Sequence, residues 1–168
     1  MTSTQTLTGE RADLLQTLRK HRGFLRQTVA GLTDEQAATR TTVSELCLGG
    51  LIKHVAATER GWAGFIVAGA EGMFAEPADW ENGFKMLEGE TLAGLLASYD
   101  EVAQKTDDLV ASLPDLDASH PLPEAPWFEQ GARWSARRCL LHIIAETSQH
   151  AGHADILREA IDGQKTMG

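Results

Sequence analysis

Cysteine is nearly missing from this chain: of 168 residues only Cys47 and Cys139 carry a thiol. A disulfide-dense secreted scaffold needs more, and no Cys-x-x-Cys pair suggests a zinc ribbon or a redox motif. A reducing cytoplasm is the expected compartment. Long apolar runs are lacking too. The longest charge-free apolar stretch, residues 61–70, is about half of a membrane span. The polar segment 1–11 has no apolar centre of the signal-peptide kind. Neither membrane insertion nor export by that route is expected. Basic residues are in deficit, with 15 Lys and Arg against 24 Asp and Glu and a formal charge of −9. Apart from Arg137-Arg138 and a loose group between 19 and 26, the cations are scattered. A phosphate backbone would meet no basic face, so nucleic-acid binding is not expected. No Gly-x-Gly-x-x-Gly, Walker loop, nucleophile elbow or Ser–His–Asp pattern is present.

What is present suits one globular domain spanning 1–168, with 42% hydrophobic and 23% charged residues, since domains usually run to about 100–150 residues. Proline is confined to Pro77, Pro114, Pro121, Pro123 and Pro126, and because proline breaks helix interiors it leaves three long stretches open to helix. Within them apolar residues recur at steps of three and four, the period of an amphipathic helix. Four helices are predicted. The first covers about 8–31, with Leu14, Leu18, His21, Leu25, Thr28 and Leu32 on one stripe and Arg and Lys elsewhere. The second covers about 44–69 and the third about 91–113, where Leu92, Leu95, Tyr99, Val102, Thr106, Leu109 and Leu113 alternate such steps. The fourth starts after the N-cap Ser135 and ends at Asp162-Gly163, where glycine suits a left-handed C-cap. No segment alternates at period two, so no sheet is expected and the fold class is all-α, a four-helix bundle with two long connecting loops. Those loops, 70–90 and 114–134, hold Phe74, Trp80, Phe84, Trp127, Phe128 and Trp134, six of the ten aromatic residues. They close the ends of a small core, wall a pocket at one bundle end, or do both.

Polar residues on the predicted buried faces carry the chemical information. On the fourth helix, with His142 set at zero, the apolar stripe lies at about 60–120°, His150 falls inside it at about 80°, and Glu146 borders it at about 40°. On the second helix His54 borders the buried face. A buried carboxylate and buried imidazoles need partners. Two arrangements supply them. One is a divalent metal held by two imidazoles and a carboxylate, a three-ligand set that leaves a position open for water or substrate. The other is a Glu–His ion pair with an unrelated core histidine and no metal. His21 reads as a hydrogen-bonded core histidine in preference to one that reaches the cavity, His142 as an exposed residue at the stripe's edge in preference to one that orients a ligand, and His120 as solvated in the Pro-rich loop. His153 either orients a ligand or is exposed. Cys47 and Cys139 read as small core hydrophobes, with reactivity an alternative for a thiol close to the site.

The run Gly49-Gly50-Leu51-Ile52-Lys53-His54 and the run from Leu140 through Glu146 and His150 to Glu159 resemble the DinB/YfiT-like superfamily, in particular its actinobacterial mini-circle-protein branch. The resemblance extends from the first helix to Ile161-Asp162-Gly163. It implies a bundle of up-down-down-up topology with a divalent metal held near one end by His54, Glu146 and His150. Many members carry His-x-x-x-His on the last helix. Glu146 departs from that pattern and matches the His–Glu–His variant of mycothiol-dependent maleylpyruvate isomerase. That isomerase has a further C-terminal domain, and this sequence ends at Gly168, so its particular reaction is not the expected one. The resemblance implies a metal-dependent enzyme, with zinc or nickel foremost among the suitable ions, that uses mycothiol, bacillithiol or another low-molecular-weight thiol to attack a small electrophile. The alternative is a metal- or small-ligand-binding stress-response protein without turnover. A small-molecule substrate is the expected partner, and homodimerisation through an exposed helix face is a further expectation.

Overall fold

The structure is a computed structural model describing residues 7–77 and 79–167. Residues 1–6 of the polar leading segment, Ala78 and Gly168 lie outside the described residues. The elements run α1 (Glu10–Gln27), α2 (Asp34–Ala38), α3 (Leu48–Met73), α4 (Leu92–Ser112), β1 (Ser119–Pro121), β2 (Arg133–Ser135) and α5 (Ala136–Asp162). Four helices are the long ones predicted, and three begin at a capping side chain. Cys47 Sγ accepts from the Gly50 amide, Thr91 from Gly94 and Ser135 from Arg138, each satisfying an amide that has no partner within the first turn. At the far end of α5, Gly163 takes the left-handed conformation at φ 78°. The short α2 was not predicted; a Thr33–Gln36 capping box starts it. None of the described helices is long and apolar enough to cross a membrane.

The second predicted helix, 44–69, proves to be Leu48–Met73 with a sharp reversal inside it. Ala68 leaves the helical region and Gly69 sits at φ 65°, ψ −146°, which only glycine adopts readily. The turn after Gly69 then folds back onto the preceding helix, where a Cβ on Gly64 would overlap the Gly72 carbonyl.

The core is divided in two. One cluster joins Leu25 and Val29 of α1, residues 48–56 of α3, Leu92 and Tyr99 of α4, and Ala151, Ala154 and Leu157 of α5. The other joins Leu14, Leu15 and Leu18, then Trp62, Phe65 and Ile66, then Val110, and Cys139, Leu140 and Ile143. The order of these residues along each helix means that α1 and α5 run one way and α3 and α4 the other. Between the clusters each helix contributes one buried polar residue: Arg22, Glu59, Thr106 and Thr147. The threonine hydroxyls donate to carbonyls of their own helices, Thr106 to Val102 at 3.1 Å and Thr147 to Ile143 at 2.8 Å. Arg22 and Glu59 satisfy one another through two parallel contacts, Nε to Oε2 at 3.1 Å and Nη2 to Oε1. Arg22 Nη1 also donates to Asp107 at 2.8 Å. The expectation that arginines lie off the buried stripe of α1 is therefore corrected at Arg22. A second buried cation, Arg158, donates to the carbonyls of Thr28 and Ala30, both at 2.9 Å, and pairs with Asp162. It holds α5 against the C-terminal end of α1, where free carbonyls favour a cation.

The expectation of no sheet is also corrected. β1 and β2 pair antiparallel, with Ser119 opposite Ser135, His120 opposite Trp134 and Pro121 opposite Arg133. Three residues per strand are too few to display alternation, and Pro121 is tolerated at this edge. The ladder closes the base of the second aromatic loop and delivers Trp134 to the start of α5.

Removing one partner of a buried ion pair costs about 3–5 kcal/mol. Asp107 still faces Arg22 in a Glu59→Ala variant, so urea denaturation should show a loss near the lower end, about 3 kcal/mol. The double change Arg22→Met with Glu59→Leu should cost less than Glu59→Ala alone.

Candidate metal centre

His54 lies on α3, and Glu146 and His150 lie one turn apart on α5. The helices bring one donor atom of each within 4.8 Å of the others. His150 Nε2 is 3.4 Å and His54 Nε2 3.9 Å from the same oxygen, Glu146 Oε2. An ion held at about 2.0–2.2 Å from each donor calls for donor separations of about 3–4 Å, a range that both contacts to Glu146 Oε2 meet, so the three side chains are grouped as a candidate site for one cation. The side chains are 23% exposed at His54, 27% at Glu146 and 11% at His150, leaving a face open to a further ligand. The imidazole of His150 first, and then that of His54, hold the Glu146 carboxyl well below the ordinary carboxylate range despite its partial burial.

The loops complete the surroundings. Phe84 stacks on His54, with ring centroids 3.8 Å apart and planes at 21°. Backbone proximity permits this: a Cβ on Gly50 would overlap the Phe84 carbonyl, so only glycine lets the loop lie on the first turn of α3. Lys53 fastens the same loop by its 2.7 Å ion pair with Glu90. On the other side Trp62 and Trp134 stack at 4.7 Å and 16°. His142 meets both edge-on, at 5.0 and 5.2 Å, and brings Nε2 to 3.6 Å from Glu146 Oε1. Phe128 continues the wall to Trp127, which lies 6.4 Å from Trp80 of the first loop. Trp80 and Trp127 are 77% and 70% exposed.

The histidines divide accordingly. His142 is half-buried in the aromatic wall, not simply exposed at the stripe's edge as expected. His120 is half-buried on β1 and set edge-on to Phe65 at 5.8 Å, not solvated. His21 is half-buried, with its ring edge-on to Phe24 at 6.0 Å; its place on the buried stripe is taken by Arg22. His153 Nδ1 lies 3.3 Å from His150 Nδ1. Both cysteines are buried and free, and burial pushes the Cys139 thiol up to about 12. Phe84 and His142 are further neighbours of the triad: spacing does not assign Phe84 to it, because a loop position carries no periodic signal, whereas His142 stands one turn before Glu146 on the same helix. A cavity of about 380 Å³ between α3 and α4, lined by Ala57, Gly61, Gly64, Val67, Val102 and Leu109 among others, shares no residue with the triad.

The sequence matches the mycothiol S-transferase family over residues 13–163. A solved structure described as a conserved protein of Enterococcus faecalis is similar in fold, with a TM-score of 0.73 at 15% identity over 94% of this chain and 100% of the other. No curated protein matches the sequence.

Burial disfavours the His142 imidazolium more than Glu146 favours it, so its pKa lies below the ordinary 6.5. An NMR titration of the metal-free protein should place the His142 midpoint below that value. The unfolded chain takes up this proton first, so His142 should lower folding stability as pH falls through about 6.5, and His142→Phe should flatten that part of the stability profile.

Proposed function

The chain belongs to the mycothiol S-transferase family, and from that membership together with the triad we propose that it is a divalent-metal-dependent transferase joining a low-molecular-weight thiol such as mycothiol to a small electrophile. The observation that carries the reading is the convergence of His54, Glu146 and His150 on one partly open point. These three would hold zinc or nickel. When bound, the ion supplies a positive charge that keeps a coordinated thiol deprotonated at neutral pH. The residues around it supply the rest. Glu146 is ionised and acceptor-only, which suits a cation. Phe84 backs His54 and limits its ring to one plane. Trp62, Trp134 and His142 exclude water from one flank. Trp80 and Trp127 present open ring faces for a planar or apolar acceptor, at the edges of the two loops. The sulfur–carbon bond forms at the acceptor, which loses its leaving group or takes up a proton.

Purified protein should contain about one metal ion per chain by elemental analysis, and His54→Ala should strip most of it while far-UV circular dichroism retains the helical signal. With zinc or nickel, mycothiol and a chromogenic alkylating electrophile, repeated turnover is expected, and His150→Ala should abolish it. Full metal occupancy with no turnover over a broad panel of thiols and electrophiles would instead favour a non-catalytic ligand-binding role. Replacing Trp80 and Trp127 by Ala should raise KM for an aromatic acceptor about 2- to 12-fold, the equivalent of one aromatic contact, with kcat little changed.

A further inference from the structure

His153 belongs to neither the triad nor the aromatic wall, yet it is in direct contact with a proposed ligand. His150 presents its two ring nitrogens to different neighbours: Nε2 faces Glu146 Oε2 at 3.4 Å, and Nδ1 faces His153 Nδ1 at 3.3 Å, with the rings 5.3 Å apart at 64°. A nitrogen that binds a cation must offer its lone pair, so a neutral His150 coordinating through Nε2 carries its proton on Nδ1. That N–H points at His153. In that state one proton would lie between the two Nδ1 atoms, making His153 Nδ1 the acceptor and placing the proton of His153 on Nε2.

We propose that His153 is a positioning residue that fixes the tautomer and ring orientation of His150 for metal binding. The proposal rests on the metal reading above and assigns His153 no contact with substrate or ion. Position along the helix supports it. His150 and His153 are three residues apart, on neighbouring turns of one face of α5, where side chains meet. The other α5 ligand is backed in a parallel way by His142, which approaches Glu146 Oε1 at 3.6 Å and leaves Oε2 to the triad. That separation is too long for a hydrogen bond, whereas the His150–His153 contact is within range. The stronger effect is therefore assigned to His153.

The test is the affinity for zinc alone, measured by competition with a chromophoric chelator, for the wild type and for His153→Ala, His153→Leu and His153→Asn. Asparagine places an oxygen acceptor close to where Nδ1 stood; leucine fills space without accepting. The expected result is a loss of about 10- to 100-fold for alanine and leucine, the usual effect of removing such a partner, and recovery to within a few-fold of wild type for asparagine. The zinc-loaded wild type should also show a downfield, slowly exchanging His150 Nδ1–H resonance that disappears in the leucine variant. Circular dichroism establishes that each variant is folded, and the leucine and asparagine forms stand in if alanine is not. Wild-type affinity in a folded His153→Leu protein would overturn this proposal while leaving the metal reading intact. A wild type that takes up no zinc or nickel would overturn the metal reading itself, and this one with it.

Discussion

The Arg22–Glu59 pair sets the height of α3 against α1. Apolar stripes repeat at every turn, so two such helices can slide by one turn, about 5.4 Å, and still bury apolar surface. A carboxylate with both oxygens engaged by one guanidinium cannot slide. Displacement would leave a charge alone between two apolar clusters, and the cost of an unpaired buried charge exceeds what a shifted stripe could recover. His54 stands five residues before Glu59, so the pair also determines where that imidazole lies along the bundle. Arg158 performs the equivalent service for α5 by gripping the carbonyls of Thr28 and Ala30. Both halves of the triad are thus registered to α1, although α1 contributes no donor to it.

The loops depend on close backbone approach. Gly50 admits the Phe84 backbone to the first turn of α3, and the ring then lies flat on His54. The β1–β2 ladder holds Trp134 against Trp62 and His142. The site that results has one wall from each loop and a floor from two helices. Its donors are charged or polar, and its walls are aromatic. Such a combination suits a small ligand that brings a polar atom to the floor and an apolar body to the walls. A solved protein of similar fold shares only 15% of its residues with this chain, so the bundle tolerates wide change in sequence.

The fold was readable where a signal repeated. The steps of three and four through Leu92, Leu95, Tyr99, Val102 and Thr106 marked α4 closely, and Ser135 and Gly163 marked both ends of α5. On α1 the same rule was ambiguous. From Leu18 a step of three followed by four reaches Leu25 through His21, and a step of four followed by three reaches it through Arg22. Charge argued for burying the histidine. The structure buries the arginine, because Glu59 and Asp107 stand opposite to receive it, and no property of α1 alone reports that. His142 and His120 depart from the sequence-based expectation for a related reason. Each owes its burial to an aromatic side chain that arrives from elsewhere in the chain.

The helices, their caps and the presence of Glu146 and His150 one turn apart on one helix were determined by the sequence itself, since each depends on residues within a few positions of one another. The meeting of His54 with that pair, the flat stacking of Phe84, the direction of His150 Nδ1 toward His153 and the burial of Arg22 were decided by tertiary structure. All four are matters of distance between segments or of ring orientation. Periodicity fixes an angle around a helix axis, but not the height at which two helices meet, and it is the buried charges that set the height.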